Sequence, residues 1–408
     1  MVIHLHDTRI FRLAQVEKCP ISVWHSANQC AILFHGRFCP PIIKKRFVIL
    51  KKLSRKTLSN VLNFLLIIGT ILIVIILGAR SGDLPSAWQA LIHADKAWVL
   101  GALISCAVFI LFETLLLHVF YRFQHVPARF SASLIATLIG MFYSGITPAA
   151  TGGQPMQVVA MSKRKVSSGV TSSALAVKFF CFQSALLLMG AALWLLFRDF
   201  AAQHIGAARW FVYAGFLLNG SAVLLVILLC ISRHTVHKLL FSLLKLLCRV
   251  RLIRREELWR TRLENALSDF HESVRMITKH PLQLLVLLLI ACVQVLGLMS
   301  VSFCVYRALG LSALSYAHIL TLQLLLYIGA AFTPLPGASG AQEGGFYIIF
   351  SAVFPDGTLL GALLLWRFFT YYLPTLLGLG GVIFDSVQTI RGNLTQTENN
   401  SAQSADLP

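Results

Sequence analysis

Two stretches hold the residues that could do chemistry. Phe332–Gly345, reading F-T-P-L-P-G-A-S-G-A-Q-E-G-G, interrupts an apolar run with two prolines, four glycines and the carboxylate of Glu343. Thr147–Pro155, reading T-P-A-A-T-G-G-Q-P, breaks an earlier run with Thr147, Pro148, Gly152, Gly153 and Gln154. Proline removes a backbone donor and clashes with a continuing helix, whereas glycine permits turns that other residues resist. Within an apolar slab, broken backbone survives only where protein buries it or where it lines a wet cavity. A helix that restarts after such a break offers unpaired N–H groups and a positive dipole end. That is the chemistry that holds an anion such as a lipid phosphate. In the later stretch the candidate positions are Thr333, Pro334, Pro336, Gly337, Gly340 and Glu343.

Each stretch precedes an apolar run with a lone cation, Lys178 after the first and Arg367 after the second. An ionisable side chain at membrane depth marks a functional site by default. Two readings of these cations stay open and do not exclude each other: buried pairing with Glu113 and Glu343, or contact with a lipid phosphate. Glu113 lies toward the cytosolic end of its run, where it could snorkel, so it ranks below Glu343. His118 and His318 read as hydrogen-bonded packing residues, and the glycines could equally serve close helix packing. No nucleophile–base constellation or nucleotide loop is apparent. The nine cysteines include no C-x-x-C pair, and Cys106, Cys181, Cys230, Cys292 and Cys304 sit inside apolar runs as packing residues. His4, His6, Cys19, His25, Cys30, His35 and Cys39 are not at metal-ligand spacing. No metal or cofactor is expected.

The elements that position these residues follow from composition. Of 408 residues 57% are hydrophobic and 12% charged, with a mean hydropathy of +0.75. Uninterrupted apolar runs of bilayer length predict an all-α polytopic membrane protein. The net charge of +19 could suggest nucleic acid, but the basic residues cluster beside the runs. Positive-inside topology and anionic headgroups account for that, so DNA is not expected as a partner, nor is tRNA.

Residues 1–43 read as an atypical extension, untranslated or disordered. The basic segment 44–60 places the N-terminus in the cytosol. Six full spans are expected: Val61–Ala79, Ala97–Val119, Ser172–Phe197, Trp210–Ile231, Leu282–Val305 and Thr358–Phe384. Ser131–Thr147 returns through a short Met156–Met161 arm, because a full crossing would leave Lys163-Arg164-Lys165 outside. Six residues at ~1.5 Å each span only about a third of the hydrocarbon depth, which puts that loop near mid-membrane. Leu314–Phe332 followed by Gly344–Phe354 reads as a second hairpin entering from the other face. Residues 233–281 hold eleven Lys/Arg against five acids and read as the main cytosolic loop. There Trp259, Leu263, Leu267, Phe270, Val274 and Ile277 form one apolar helix face, lying in the headgroup region or packed on the span ends. A polar cytosolic tail, 385–408, ends the chain. Two opposed re-entrant hairpins, each followed by a span with one cation, predict the inverted repeat of secondary transporters within a domain of residues 61–384.

At these residues the chain resembles the flippase-like membrane domain of the lysylphosphatidylglycerol synthase (multiple peptide resistance factor) family. That family has an early T-P-G-x-x-G-G-[EQ]-P-like loop, a late P-G-G-x-G-x-x-E loop, and an Arg followed by an aromatic and a Pro in the last span. Thr147, Pro148, Gly152, Gly153, Gln154 and Pro155 keep the first, with Ala149 in place of Gly. Pro336, Gly337, Gly340 and Glu343 keep the second, with Ala338 in place of Gly. Arg367, Tyr371, Pro374 and Gly378 supply the third. The resemblance implies the stand-alone form without the soluble synthase domain, in a bacterial plasma membrane. It implies translocation of an anionic or aminoacylated phospholipid, or a polyprenyl-linked lipid, between leaflets. Membrane phospholipids, a homodimer and a separate lipid-modifying enzyme are the implied partners. Phosphatidylglycerol lysyltransfer, with its link to cationic peptide resistance, is one alternative, and a non-catalytic scaffold is another.

Overall fold

The computed structural model describes residues 84–232, 237–238, 241–242, 256–331, 333, 335–355 and 357–405. The expected first span Val61–Ala79, residues 1–43, the basic segment 44–60 and Pro334 lie outside the described residues. Among those described every regular element is helical. After α1 (Leu84–Ile92), Asp95 accepts a hydrogen bond from the Ala97 N–H and caps α2 (Lys96–Phe123). A first broken pair follows, α3 (Phe130–Ile146) and α4 (Gly153–Ser162). Ser167 caps α5 (Ser168–Leu196), and a short α6 (Arg198–Ile205) leads into α7 (Arg209–Ile231). Beyond α8 (Glu256–Lys279), Pro281 occupies the first turn of α9 (Pro281–Ala308), where its missing N–H costs nothing. A second broken pair, α10 (Tyr316–Ala330) and α11 (Ala341–Phe350), is followed by α12 (Leu359–Arg367). A π-helical turn, Phe368–Tyr372, joins α12 to α13 (Leu373–Ala405).

Five described helices are long and apolar enough to cross a membrane: Lys96–Phe123, Ser168–Leu196, Arg209–Leu228, Pro281–Ala308 and Leu359–Thr389. They correspond to five of the six expected spans. Apolar side chains such as Leu196, Leu217 and Leu282 are 74–76% exposed, which suits hydrocarbon and not water. The two broken pairs match element by element. A helix of 17 or 15 residues, a single 3₁₀ turn, a 10-residue helix and a long span succeed one another in each.

Each broken pair folds back on itself. Gly153 of α4 packs on Ser144 and on the Gly140 carbonyl of α3, and Gly345 of α11 packs on Leu326 of α10. The return helices start earlier than the sequence suggests: Gly153–Ser162 where the arm was expected at Met156–Met161, and Ala341–Phe350 where Gly344–Phe354 was expected. Pro155 and Glu343 both lie in first turns, where a proline is tolerated and a carboxylate is favoured.

Helix α9 crosses α2 at Gly297, whose position faces the backbone of Ser105 and Phe109, and α13 crosses α3 at Gly378. Small residues let backbones approach where no hydrophobic force draws helices together in lipid. In the second half Phe346, Phe350 and Trp366 stack at 4.5–4.9 Å between ring centroids. Of the amphipathic face on α8, Leu267 and Val274 are buried, Ala266 abuts Gly169, Ser167 donates to Asp269, and Gln124 Nε2 donates to the Ser273 carbonyl at 3.1 Å. These residues pack on the ends of α2 and α5, the second of the two expected placements. The side chains of Trp259 and Ile277 lie outside the described ones.

Gly378→Ala tests the α3–α13 crossing. Its methyl would sit 2.6 Å from the Leu138 carbonyl oxygen and 2.7 Å from the Phe142 nitrogen. Backbone cannot give way as a side chain can, so a loss of about 1–3 kcal/mol is expected, seen as a lower Tm in detergent. Gly380→Ala, which meets nothing within 4 Å, leaves the Tm unlowered.

Candidate functional site

The late break is held by one carboxylate. Leu335 is extended, the chain turns through Pro336–Ala338, and Gly337, Ala338 and Gly340 all take positive φ (61°, 51° and 87°). Glu343, at the third position of α11, accepts the Gly340 N–H through Oε2 at 2.6 Å. Its Oε1 accepts from Arg367 Nε at 2.8 Å and lies 2.7 Å from Nη2. Nη2 also donates to the Gly337 carbonyl at 3.2 Å. The guanidinium is flanked by the rings of Trp366 and Tyr371, 5.2 and 5.5 Å from their centroids. Gly337 lies against the Tyr371 ring, where a side chain would collide. The π-turn that carries Tyr371 begins at the residue after Arg367, and such turns recur at functional sites.

The early break uses a hydroxyl instead. Thr147 Oγ1 donates to the Tyr143 carbonyl at 2.6 Å and accepts the Gly152 N–H at 2.9 Å. Thr151 Oγ1 donates to the Pro148 carbonyl at 2.9 Å. Ala149 and Ala150 take φ of 50° and 54°, a region that costs an L-residue with a Cβ roughly 1–2 kcal/mol. Lys178, on the following span, reaches Glu113 Oε1 of α2 at 2.8 Å and Gln157 Oε1 of α4 at 3.4 Å. Both expected ion pairs are therefore present. Tyr371 OH donates to the Gly145 carbonyl at 2.9 Å, tying the second half to the first hairpin, and the two break tips touch.

These elements line a partly open cavity of about 380 Å³. Of the expected site residues, Gln154, Lys178, Thr333, Gly337 and Arg367 line it. Thr147, Pro148, Gly152 and Gly153 shape the early tip, and Pro336, Gly340 and Glu343 the late one, behind the wall. Sequence reasoning misplaced Glu113. It lines the cavity, bonded to Lys178 with its side chain 12% exposed. Glu113 and Lys178 each sit ten residues from the nearer end of their helices, about 15 Å at 1.5 Å per residue, so Glu113 does not snorkel. Sequence reasoning also missed Gln294 (midway along α9), Gln323 and Gln342, and it had Tyr371 only as part of the last-span motif. A glutamine inside an apolar run was the available signal. His318 bonds to Ser315 Oγ at 2.9 Å and packs on Phe197 and Phe200, while His118 packs on Phe130. Among the described residues no three His, Cys, Asp or Glu side chains converge as a metal site.

The lining is polar among helices otherwise built for hydrocarbon: two cations, the Glu113 carboxylate and several carboxamides, with Glu343 bonded to Arg367 from behind the wall. Comparison with known proteins bears on which family builds it. The model of the lysylphosphatidylglycerol synthase transmembrane region matches residues 60–378. This chain belongs to that family. A membrane protein of Archaeoglobus fulgidus named UPF0104 is 24% identical over 313 residues, covering 76% of this chain and 93% of that protein. One of Pyrococcus horikoshii, also named UPF0104, is 22% identical over 325 residues, covering 77% and 94%. With five described helices of spanning length, this member of the synthase transmembrane-region family is a multi-pass membrane protein.

In this family member the buried Arg367–Glu343 pair should govern stability asymmetrically. Glu343→Ala leaves a guanidinium unpaired and is expected to cost about 3–5 kcal/mol, seen as a large fall in Tm. The double variant Glu343→Leu/Arg367→Met removes both charges and should regain most of it. The shortfall is the lost cap on Gly340. Ala149→Gly and Ala338→Gly relieve positive φ and should each raise stability by about 0.5–1 kcal/mol, read from the same melts.

Proposed function

We propose that the protein translocates lipids between leaflets of a bacterial plasma membrane, with its hairpins opposed and both termini cytosolic. One observation carries this: a polar cavity with two ion pairs lies far from the ends of spanning helices, framed by the touching tips of two broken hairpins. Ionisable groups there are costly and persist where a pathway needs them. In the proposed mechanism the headgroup enters the cavity while the acyl chains stay in surrounding lipid, so only the head needs a polar path. Arg367 and Lys178 attract the phosphate. Glu343 holds the late tip and keeps Arg367 neutralised between passages, and Glu113 does the same for Lys178. The phosphate that these cations attract is common to anionic and aminoacylated phospholipids and to polyprenyl-linked lipids.

Lysyl transfer from tRNA is the less favoured reading, because it needs a base or nucleophile and both carboxylates at this site are engaged by cations.

The test is reconstitution into vesicles carrying a chain-labelled fluorescent phospholipid, with a membrane-impermeant quencher reporting its leaflet. Wild-type protein should speed exchange well above protein-free vesicles. Lys178→Met and Arg367→Lys, checked for intact folding by size exclusion, should slow it by about tenfold or more, a loss equivalent to ~1.4 kcal/mol of barrier. Exchange no faster than in empty vesicles, or unaltered in both variants, would overturn the reading.

A further inference from the structure

The charges at the site sum to zero. Lys178 is matched by Glu113 and Arg367 by Glu343, each within 2.8 Å. A headgroup that brings a single net charge into this volume leaves one charge without a partner, which an apolar surrounding penalises heavily. A headgroup with one negative and one positive group can exchange partners instead. Its phosphate takes a cation, its ammonium balances the charge of the released carboxylate, and no net charge is left over.

The uncharged lining offers both acceptors and a donor. Gln294 and Gln342 are 3% and 5% exposed, and both line the cavity. The Oε1 atom of each is buried with no hydrogen-bond partner. Buried polar atoms are nearly always satisfied, so two bare carbonyl oxygens on one cavity ask for a reason. Each accepts an N–H or O–H and neither can donate one. Opposite in kind is Trp366 Nε1, a donor that is buried without a partner and belongs to the residue next to Arg367. Arg367 spends Nε and Nη2 on Glu343 and Gly337, and none of its described hydrogen bonds uses Nη1. The donors by Arg367 suit phosphate oxygens, and the two glutamine carbonyls suit ammonium N–H groups.

Resting on the translocation reading above, we propose that this cavity selects a phosphodiester lipid of zero net charge whose head carries a primary ammonium. The phosphate sits at Arg367 and Trp366 and the ammonium at Gln294 and Gln342, which are specificity-determining residues. A quaternary ammonium has no N–H to give and fills the acceptor positions poorly, and a glycerol head leaves the phosphate charge uncompensated.

The experiment uses full-length protein in phosphatidylcholine vesicles containing trace chain-labelled phosphatidylethanolamine or phosphatidylglycerol. Phosphatidylethanolamine exchange is expected to be about tenfold or more faster, as for a site built around a hydrogen bond that the competitor cannot supply. Gln294→Met and Gln342→Met keep the side-chain length and remove a buried unsatisfied oxygen, so their Tm should hold or rise. In both variants phosphatidylethanolamine exchange should fall toward the phosphatidylglycerol rate, so that the preference is lost. Equal rates in wild type, faster phosphatidylglycerol, or variants that slow both lipids alike would overturn the selectivity. If neither lipid moves faster than in protein-free vesicles, translocation itself fails. Native mass spectrometry with the same two lipids then decides the selectivity separately: preferential retention of phosphatidylethanolamine, lost in Gln294→Met, supports it, and equal retention sinks it.

Discussion

Backbone broken among apolar helices must find its hydrogen bonds inside the chain, and Glu343 is where this chain meets that demand most fully. One oxygen takes the Gly340 N–H and the other takes the guanidinium of Arg367, which in turn holds the Gly337 carbonyl. A single carboxylate thus closes a turn that three positive-φ residues leave open, and does so without leaving itself charged and alone. The arrangement binds a hairpin tip to a span 24 residues away in sequence, so the tip's geometry and the span's position are one decision. The π-turn follows from the same demand. Widening the helix after Arg367 lets Tyr371 lie on Gly337 and reach the Gly145 carbonyl on the other hairpin.

The cavity is a consequence of lengths. The return helices have ten residues, about 15 Å, among spans of 28 residues or so, about 42 Å. Two such short arms whose tips meet cannot fill the space between full spans, and what remains is lined by what the tips and mid-span positions offer. In the first half the tip is closed by the Thr147 hydroxyl, and the ion pair comes from outside the hairpin, Glu113 with Lys178. Gln154, at the second position of α4 as Gln342 is of α11, faces the cavity with no charge, and Pro155 stands where α11 has Glu343. The halves share a plan and divide its duties differently.

Most of the architecture was legible because membrane spans announce themselves by length and hydropathy, and because proline and glycine mark breaks. The two ion pairs were legible too, since a lone cation in an apolar run requires a partner and few acids are on hand. What escaped had weaker local signals. The return helices begin sooner than Gly152-Gly153-Gln154-Pro155 implies, since a first turn tolerates proline and needs no side-chain donors. Glu113 was weighed as a partner of Lys178 but ranked by its distance from a helix end, which hid its place on the cavity wall. Gln294, Gln323 and Gln342 carry no charge, so one-dimensional reading treats them as minor interruptions. The π-turn has no signature apart from the tertiary contacts that favour it.

Stability is unevenly distributed between the tips and the spans, and that unevenness bears on how a head could pass. The spans cross at glycines set against opposing backbone, as at Gly297 and Gly378, where sliding would cost many contacts at once. The tips hold alanines in the left-handed region at Ala149, Ala150 and Ala338, each paying roughly 1–2 kcal/mol for a conformation glycine would take freely. Strain of that size lowers the cost of leaving the resting arrangement at the tips. An ion pair that swaps partners with an entering zwitterion adds no net charge to the apolar surroundings while the tips move. In the proposed translocation, local strain and global neutrality would act on the same step: the first would loosen the tips, and the second would keep their opening from exposing a bare charge.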